Sequence, residues 1–326
     1  MTTQQLQRPE APGRAQRRRP RRPPGQLGGR RPLNDGFRRR AAVVGFLAPA
    51  LIILTAFVGW PMLSALRLSF TDASGFGQES WVGLENYARV FTDSSILQSI
   101  GNTALYAALF TPIALVVALV LALAVNSPKL PFRGFFRTTL FLPFIVSLAV
   151  AAFAWSYLLD PQIGLVNYWL QSVGIRIGNV LEDPTLAMPT VVLVAVWKSF
   201  GFYMVIFLAG LQDIPKSLYE AASLDGANGW RRFTNVTFPM LSNTMAFVVV
   251  VALIAALQAF DQIYVLTGGG PYRTTQTIVM EIYLSGFKDL ELGFASALSY
   301  VLLVATLLLS LVQFLFFGRR GEDTSS

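Results

Sequence analysis

Residues Thr103–Val125 read TALYAALFTPIALVVALVLALAV, a stretch without a single charged side chain. A transmembrane α-helix needs about 20 consecutive apolar residues, because the hydrocarbon core of a bilayer is about 30 Å thick and a helix rises about 1.5 Å per residue. The apolar residues are continuous rather than alternating, which favours a helix over a strand of a transmembrane barrel. The stretch therefore predicts a membrane-spanning helix.

Five further runs have the same character and a similar length. They are Ala41–Leu66, Thr138–Leu158, Met188–Leu211, Thr244–Tyr264 and Gly293–Phe317. Helix-breaking residues separate several of the runs, including Asp160-Pro161 after the third and the Gly268–Pro271 segment after the fifth. The sequence predicts an all-α, polytopic membrane protein with six transmembrane helices.

The composition supports a surface that faces lipid and argues against an enzyme. Of 326 residues, 53% are hydrophobic and 13% are charged, whereas a soluble domain has about 25% charged residues. The chain contains no cysteine and no histidine, so it lacks thiolate ligands, disulfides and the commonest general base. We expect no metal site and no catalytic site in this chain.

Residues 1–40 form a separate, Arg-rich segment that we predict to be a disordered tail, because it has too few large apolar residues to offset the entropy of ordering. Arg clusters can bind nucleic acid. They also anchor the cytoplasmic side of a membrane protein to anionic lipid, and we favour this interpretation because a span follows directly. We expect no specific nucleic-acid partner. The domain boundaries are then 41–318 for the membrane domain and 319–326 for a C-terminal tail.

The basic residues also predict the orientation, since Lys and Arg accumulate in cytoplasmic loops. With the tail inside, the inner connections hold Lys129, Arg133, Arg137, Lys216, Arg231, Arg232, Arg319 and Arg320. The outer connections hold only Arg89, Arg176, Arg273 and Lys288. This bias fits an even number of spans with both termini in the cytoplasm.

One inner connection, at about residues 212–243, is unusually long and reads QDIPKSLYEAASLDGANGWRRFTNVTFPMLSN. Pro215 suits the start of a helix over Lys216–Leu224, and Gly226 can supply the left-handed residue that ends it. A second short helix is predicted from about Gly229 to Thr237, with Pro239 as its stop. The result is a helix–turn–helix that lies along the cytoplasmic face.

Within this connection, EAASLDGANGWRRFTNVTFP resembles the EAA loop of binding-protein-dependent ABC importer permeases. Other segments resemble the carbohydrate branch of that family, which includes maltose, lactose and sn-glycerol-3-phosphate type permeases. They are VGLENYARVF at Val82–Phe91, the Asn102-Thr103 pair, Val196–Pro215 and FDQIYVLTGGGP at Phe260–Pro271. The resemblance covers roughly residues 41–318 and implies a permease of the bacterial cytoplasmic (inner) membrane. We name residues 212–243 the coupling loop.

The resemblance implies three kinds of partner besides membrane lipid: a second permease subunit, two ATP-binding subunits and an extracytoplasmic solute-binding protein. ATP and Mg²⁺ would belong to the ATPase, and this chain would hold no cofactor. The residues implied in coupling to the ATPase are Glu220, Ala221, Ala222, Leu224, Gly226, Ala227 and Phe233. Independently of the resemblance, the sequence has no G-x-x-x-x-G-K-[ST] phosphate-binding loop.

Polar and aromatic residues within the runs are candidates for the wall of a solute path. They are Trp197, Lys198, Tyr203, Gln258, Asp261, Gln262, Ser296, Ser299 and Tyr300. The alternative for each is hydrogen bonding between helices. For Lys198, a charge near the middle of the bilayer, the alternatives are pairing with a carboxylate such as Asp261 or extension of its side chain toward the interface.

The predicted function is the permease subunit of an ABC importer for a sugar or sugar-like solute. An alternative solute is glycerol-3-phosphate or a glycerophosphodiester, since Lys198 and Arg273 would suit a phosphate. An ATP-independent secondary transporter is a further alternative. It predicts several carboxylates deep in the membrane, and the nearest here, Asp261, lies near the end of a run. An intramembrane enzyme would need a Ser–His pair or paired Asp residues at depth.

Overall fold

The structure is a computed structural model that describes residues 35–75, 77, 79–175 and 178–322. Regular secondary structure in these ranges is helical, and one isolated antiparallel bridge joins Thr71 to Trp81. The prediction of disorder for residues 1–34 lies outside the described residues, as do the last four residues of the predicted C-terminal tail. The all-α class is confirmed.

The chain divides into two compact units, of which the first ends at Gly59. Its described part consists of helix α1 (Asp35–Leu54) and a π-helical turn at Thr55–Gly59. Helix α1 begins before Ala41, so the last residues of the predicted tail, 35–40, are helical.

The second unit, from Trp60 onward, contains fourteen α-helices among its described residues. They are α2 (Trp60–Leu68), α3 (Glu85–Thr92), α4 (Ser94–Asn126), α5 (Arg133–Ile145), α6 (Leu148–Leu158), α7 (Leu165–Ser172), α8 (Ala187–Asp213), α9 (Lys216–Leu224), α10 (Gly229–Arg232), α11 (Phe238–Met240), α12 (Ser242–Leu257), α13 (Asp261–Leu266), α14 (Ile278–Tyr283) and α15 (Leu292–Glu322). Two π-helical turns, Phe233–Thr237 and Leu284–Lys288, lie between these helices.

Four helical stretches of the described chain are long and apolar enough to cross a membrane. They are Ala42–Leu68, α4, α8 and Leu292–Gln313. Two further apolar segments are bent pairs of helices: α5 and α6 meet at 94°, and Gly229–Met240, in the coupling loop, meets α12 at 67°. The described chain thus holds four such helices, or up to six if each bent pair is one span, so the predicted number of six is not confirmed.

The bend between α5 and α6 follows from two residues with extended backbone, Val146 and Ser147, which interrupt the helical hydrogen bonds. Pro143, in the last turn of α5, lacks an N–H and so removes a further hydrogen bond from that turn. The predicted fifth run is interrupted too. Helix α12 ends at Leu257, and the chain becomes helical again only at Asp261, the start of α13.

The core of the second unit lies between α4 and α8, which pack along much of their length. Ala114, Ala118 and Ala122 on α4 are fully buried at a spacing of four residues. Such a stripe of small side chains lets two helices approach closely, which is how helices commonly associate within membranes. Helix α5 also packs on α8, whereas α6 packs mainly on α13.

Candidate functional site

The first helix of the coupling loop, α9, has the predicted bounds. It ends in a Schellman motif, in which two backbone N–H groups beyond the helix bond back to its last turn. The N–H of Ala227 donates to the carbonyl of Ala222 at 2.9 Å, and the N–H of Gly226 donates to Ser223 at 3.1 Å. Gly226 has φ +71°, a conformation that glycine adopts without steric cost. Its predicted left-handed conformation is confirmed.

The second half of the loop starts at α10, where the side chain of Asn228 accepts a hydrogen bond of 2.9 Å from the N–H of Arg231. The helix continues through the π-helical turn Phe233–Thr237 and α11 to Met240. Pro239 was predicted to stop this helix, and that was wrong. Pro239 lies near the start of α11, and the break falls at Leu241 instead.

Hydrogen bonds join the two halves of the coupling loop. The hydroxyls of Tyr219 and Thr237 lie 3.0 Å apart, and the Arg232 guanidinium donates to the Ser223 hydroxyl at 3.4 Å. These contacts hold the two segments as one folded unit, so the predicted helix–turn–helix is confirmed.

Between the two halves lies a cavity of about 400 Å³, which we name the α9 groove. It is lined by Leu218, Ala221, Ala222, Asp225, Ala227, Arg231, Asn235 and Val236. Three of the lining residues are alanines, whose short side chains would let another protein approach the backbone closely. Three of the residues predicted to couple to the ATPase, Ala221, Ala222 and Ala227, therefore share one surface.

The other predicted coupling residues lie around this groove. Leu224 is 90% exposed at the end of α9. Glu220 is exposed and forms no hydrogen bond or ion pair with any part of the chain that the structure describes. Phe233 is half-buried, with its ring centroid 5.8 Å from that of Trp230 and 6.1 Å from that of Phe238. An exposed leucine and an unpaired carboxylate are groups that a partner protein could bind.

Helix α8 leads directly into the coupling loop, and at about 1.5 Å per residue its other end lies about 40 Å away. Near that other end is a second cavity of about 400 Å³, the Asp160 cavity. It is lined by Phe153, Ser156, Tyr157, Asp160, Pro161, Asn179, Leu181, Glu182, Leu266 and Thr267. Hydrogen bonds from the N–H groups of Ile163 and Gln162 lower the pKa of Asp160. Among the described residues of this lining there are two carboxyl groups and no basic side chain.

Lys198 lies on α8 and contacts the end of α5. Its ammonium group donates a 3.0 Å hydrogen bond to the carbonyl of Phe144 and lies 4.6 Å from the centre of the Phe144 ring. That carbonyl belongs to the last turn of α5, where the bend leaves carbonyl groups without helical partners. In the described part of the chain Lys198 forms no salt bridge with Asp261, which is exposed at the start of α13.

Three other solute-path candidates contact neighbouring side chains, and Tyr203 and Gln262 are buried whereas Trp197 is 36% exposed. Trp197 lies edge-on to Trp155 with ring centroids 5.4 Å apart. Tyr203 is 3% exposed and packs against Phe110 and Phe202. Gln262 is buried and donates a 2.7 Å hydrogen bond to the hydroxyl of Tyr106.

The remaining candidates lie beside α12 and on α15. Gln258 is exposed just beyond α12, and Ser296 is half-buried on α15. On the same helix, Ser299 donates to the carbonyl of Ala295 at 2.8 Å, and Tyr300 donates to the carbonyl of Met62 at 2.5 Å. None of the nine candidates lines the α9 groove or the Asp160 cavity. The structure thus does not gather them around either cavity.

A buried polar cluster near the start of α4 was not predicted from the sequence. The carboxyl of Glu281 accepts hydrogen bonds from Arg273 at 2.7 Å, from Ser99 at 3.3 Å and from Gln276. The amide of Asn102 donates to the carbonyls of Arg273 and Gln276, at 2.7 and 3.0 Å. Arg273, which was predicted to be available to a phosphate, is therefore paired with Glu281 in this structure.

The comparisons with known proteins agree with this architecture. The profile of a family described as "binding-protein-dependent transport system inner membrane component" matches residues 111–320. This chain belongs to that family. The predicted family is thereby confirmed, and the permease is a multi-pass protein of the inner membrane whose ATP hydrolysis takes place in a separate subunit.

Two curated relatives are similar in sequence to this chain over nearly their whole length. The permease is 39% identical over 276 residues to the sn-glycerol-3-phosphate transport system permease protein UgpA of Agrobacterium fabrum, which covers 84% of this chain and 94% of the relative. It is 39% identical over 291 residues to UgpA of Yersinia pestis, an alignment that covers 89% of this chain and 98% of the relative. The likeness therefore extends well beyond the coupling loop.

The permease also resembles a subunit of a solved bacterial ABC transporter that imports the acidic polysaccharide alginate. The TM-score is 0.79 at 26% identity, with 87% of this chain and 97% of that chain covered. It also resembles a chain of a bacterial alginate ABC transporter solved in complex with a periplasmic protein that binds an alginate pentasaccharide, with a TM-score of 0.77 at 25% identity.

Proposed function

We propose that this permease forms half of the translocation path for a sugar or sugar-like solute. A second permease subunit would supply the other half, and an extracytoplasmic binding protein would deliver the solute. Two ATP-binding subunits, which would hold ATP and Mg²⁺, would drive the transport. Both termini of the permease would lie in the cytoplasm, on the side of the coupling loop.

The observation that carries the ATP-driven part of this proposal is the geometry of α9. This helix presents the exposed side chains of Leu224 and Glu220 beside the alanines that line the α9 groove, on one folded unit. The unit is continuous with α8, because only Ile214 and Pro215 separate the two helices. A force applied to α9 by an ATPase would therefore reach the core helix through a short, extended connection.

The electrostatics of the solute path favour a neutral solute. Lys198 is held by the Phe144 carbonyl, and Arg273 is held by Glu281. The Asp160 cavity offers the carboxyl groups of Asp160 and Glu182 together with the aromatic ring of Tyr157. Carboxylates accept hydrogen bonds from hydroxyl groups and repel a phosphate, so this cavity suits the hydroxyl groups of a carbohydrate.

A second candidate solute is glycerol-3-phosphate or a glycerophosphodiester. The names of the two curated relatives favour it, since both are sn-glycerol-3-phosphate permeases at 39% identity. On this alternative, Lys198 or Arg273 would have to exchange its internal partner for the phosphate during transport.

The experiment is to purify the permease with its associated subunits and to test solute-stimulated ATP hydrolysis in proteoliposomes. The binding protein that is recovered would be screened against neutral mono- and disaccharides and against sn-glycerol-3-phosphate by thermal shift. Stimulation by a neutral sugar supports the first solute, and stimulation by sn-glycerol-3-phosphate alone supports the second. Solute movement by the permease alone, without ATP, would contradict the importer.

A further inference from the structure

The connection between α6 and α8 starts with an uncharged and strongly apolar stretch. Residues 161–175 read PQIGLVNYWLQSVGI and include no acidic or basic residue. Helix α7 lies within this stretch and has only eight residues. At about 1.5 Å per residue it is about 12 Å long, which is too short to cross a bilayer.

The polarity of α7 is the reverse of that expected for a helix in water. Its exposed face carries Leu165, Tyr168 and Trp169, which are 58%, 69% and 67% exposed. The side chain of Asn167 points the other way, is 3% exposed and donates to the carbonyl of Asp160 at 3.4 Å. A helix that buries an amide side chain and exposes aromatic rings is suited to an apolar environment rather than to water.

The apolar face continues on both sides of the helix. Ile163 before α7 and Val173 after it are each at least 70% exposed. Gln162 and Gln171 lie at the edge of this face. Together with Tyr168 they line a cavity of about 290 Å³ beneath the start of α7. Rings of Tyr and Trp beside amides are typical of the layer where lipid headgroups meet the acyl chains.

We propose that α7 lies in the plane of the membrane and inserts its Leu165, Tyr168 and Trp169 face into the headgroup layer of the outer leaflet. The assignment to the outer leaflet rests on the proposed function, because it takes the coupling loop, at the other end of α8, as cytoplasmic. The helix follows α6 after only six residues, which keeps it near the membrane surface. Helices of this kind bind through their buried apolar area.

Lipid fits this face better than a water-soluble binding protein does. A binding protein that docks and leaves in each transport cycle would return five large apolar side chains to water each time. Lipid covers the face throughout the cycle. The charged part of the same connection, which includes Glu182 and Asp183, is where contact with water is expected.

Because this chain contains no cysteine, a single introduced cysteine is its only site for a thiol-reactive label. Tyr168→Cys and Trp169→Cys would each be labelled with a nitroxide in the assembled complex, with partner subunits that lack accessible thiols, and reconstituted in liposomes. The control is Glu182→Cys, at an exposed position of the same connection. The spin-relaxation rate would be measured with oxygen, which concentrates in lipid, and with a water-soluble nickel chelate.

The expected result is a ratio of oxygen to nickel collisions at positions 168 and 169 that is several-fold higher than at position 182. Equal ratios at the three positions would overturn the proposal, because α7 would then face water. Protection of positions 168 and 169 from both reagents would also overturn it, because a protein would then cover the face. The measurement needs neither solute nor ATP, so its outcome is independent of whether the permease carries a sugar.

A second measurement avoids labels. Fluorescence quenching by lipids brominated near the headgroup would be compared between the native complex and Trp169→Phe. The quenched fraction is expected to fall in the variant, and no change would contradict insertion of Trp169.

Discussion

The ammonium nitrogen of Lys198 lies 3.0 Å from the carbonyl oxygen of Phe144, so a lysine of α8 caps the end of α5 at the bend between α5 and α6. The last carbonyls of a helix carry partial negative charge, and a cation there is stabilising. This contact accounts for a charge within an apolar helix without requiring a carboxylate partner.

Lys198→Met is expected to destabilise the permease, since it keeps the aliphatic stem and removes the hydrogen bond. A hydrogen bond to a charged group contributes about 1.5–3 kcal/mol to stability. Because Lys198 is only half-buried, we expect Lys198→Met to lower the free energy of unfolding by about 1 kcal/mol. Thermal unfolding of the detergent-solubilised complex would measure it. Lys198→Arg, which keeps the charge and the donors, is the control and should lose less. An unchanged melting temperature in Lys198→Met would contradict the capping role.

Gly226→Ala is expected to impair coupling, because φ +71° places a Cβ in the left-handed region at a cost of about 1–2 kcal/mol. The strain would loosen the end of α9 and lower ATP-driven uptake, with the amount of permease in the membrane unchanged. Gly229→Ala is the matched control, since a Cβ there meets no atom within 4 Å. Uptake and ATP hydrolysis would be measured together in proteoliposomes. Equal uptake by the two variants would count against a role for the turn.

Gly201→Ala is expected to separate α5 from α8. An added Cβ would clash with the carbonyl oxygen of Leu140 and lie 2.9 Å from the Cα of Phe141, both backbone atoms that cannot rotate away. Overpacking of this kind costs about 1–3 kcal/mol. The melting temperature and the yield of folded complex would report the loss. Gly101→Ala in α4, where nothing lies within 4 Å, should be neutral, and a similar loss in both variants would refute the close-approach explanation.

Glu281→Gln is expected to destabilise the segment between α13 and α14, since it leaves the charge of Arg273 without its partner. Breaking a buried ion pair costs about 3–5 kcal/mol. Arg273 is 39% exposed, so we expect less, about 1–3 kcal/mol. The double variant Arg273→Gln/Glu281→Gln should recover part of the loss in thermal unfolding. A double variant as unstable as the sum of the single variants would show that the two residues do not interact.

The coupling loop can be predicted from sequence because its signals are local. Pro215 and Gly226 lie at the two ends of α9, and each acts through its own backbone conformation. The bounds of α4, α8 and α15 follow similarly from uninterrupted hydrophobicity, although α4 begins at Ser94 rather than Thr103 because its first turns are polar and lie before the apolar run.

The bend between α5 and α6 could not be predicted in the same way. Residues 138–158 are apolar on both sides of Val146, so hydrophobicity gives no sign of the interruption. The capping lysine lies 54 residues away along the chain. The Glu281 cluster could not be predicted for the same reason, because the hydrogen bond between Ser99 and Glu281 joins residues that are 182 positions apart in the sequence. The resemblance at Asn102-Thr103 was the one signal that could have pointed to it.

The bend also divides residues 133–158 into two segments that pack on different helices. Its first half, α5, is fastened to α8 at Gly201 and Lys198, and its second half, α6, packs mainly on α13. Helix α8 continues into α9 after two residues, whereas α6 leads to the Asp160 cavity. The two extended residues Val146 and Ser147 therefore lie between a segment fastened to α8 and a segment packed mainly on α13. One continuous apolar stretch of sequence thus belongs to two different packing groups of the fold.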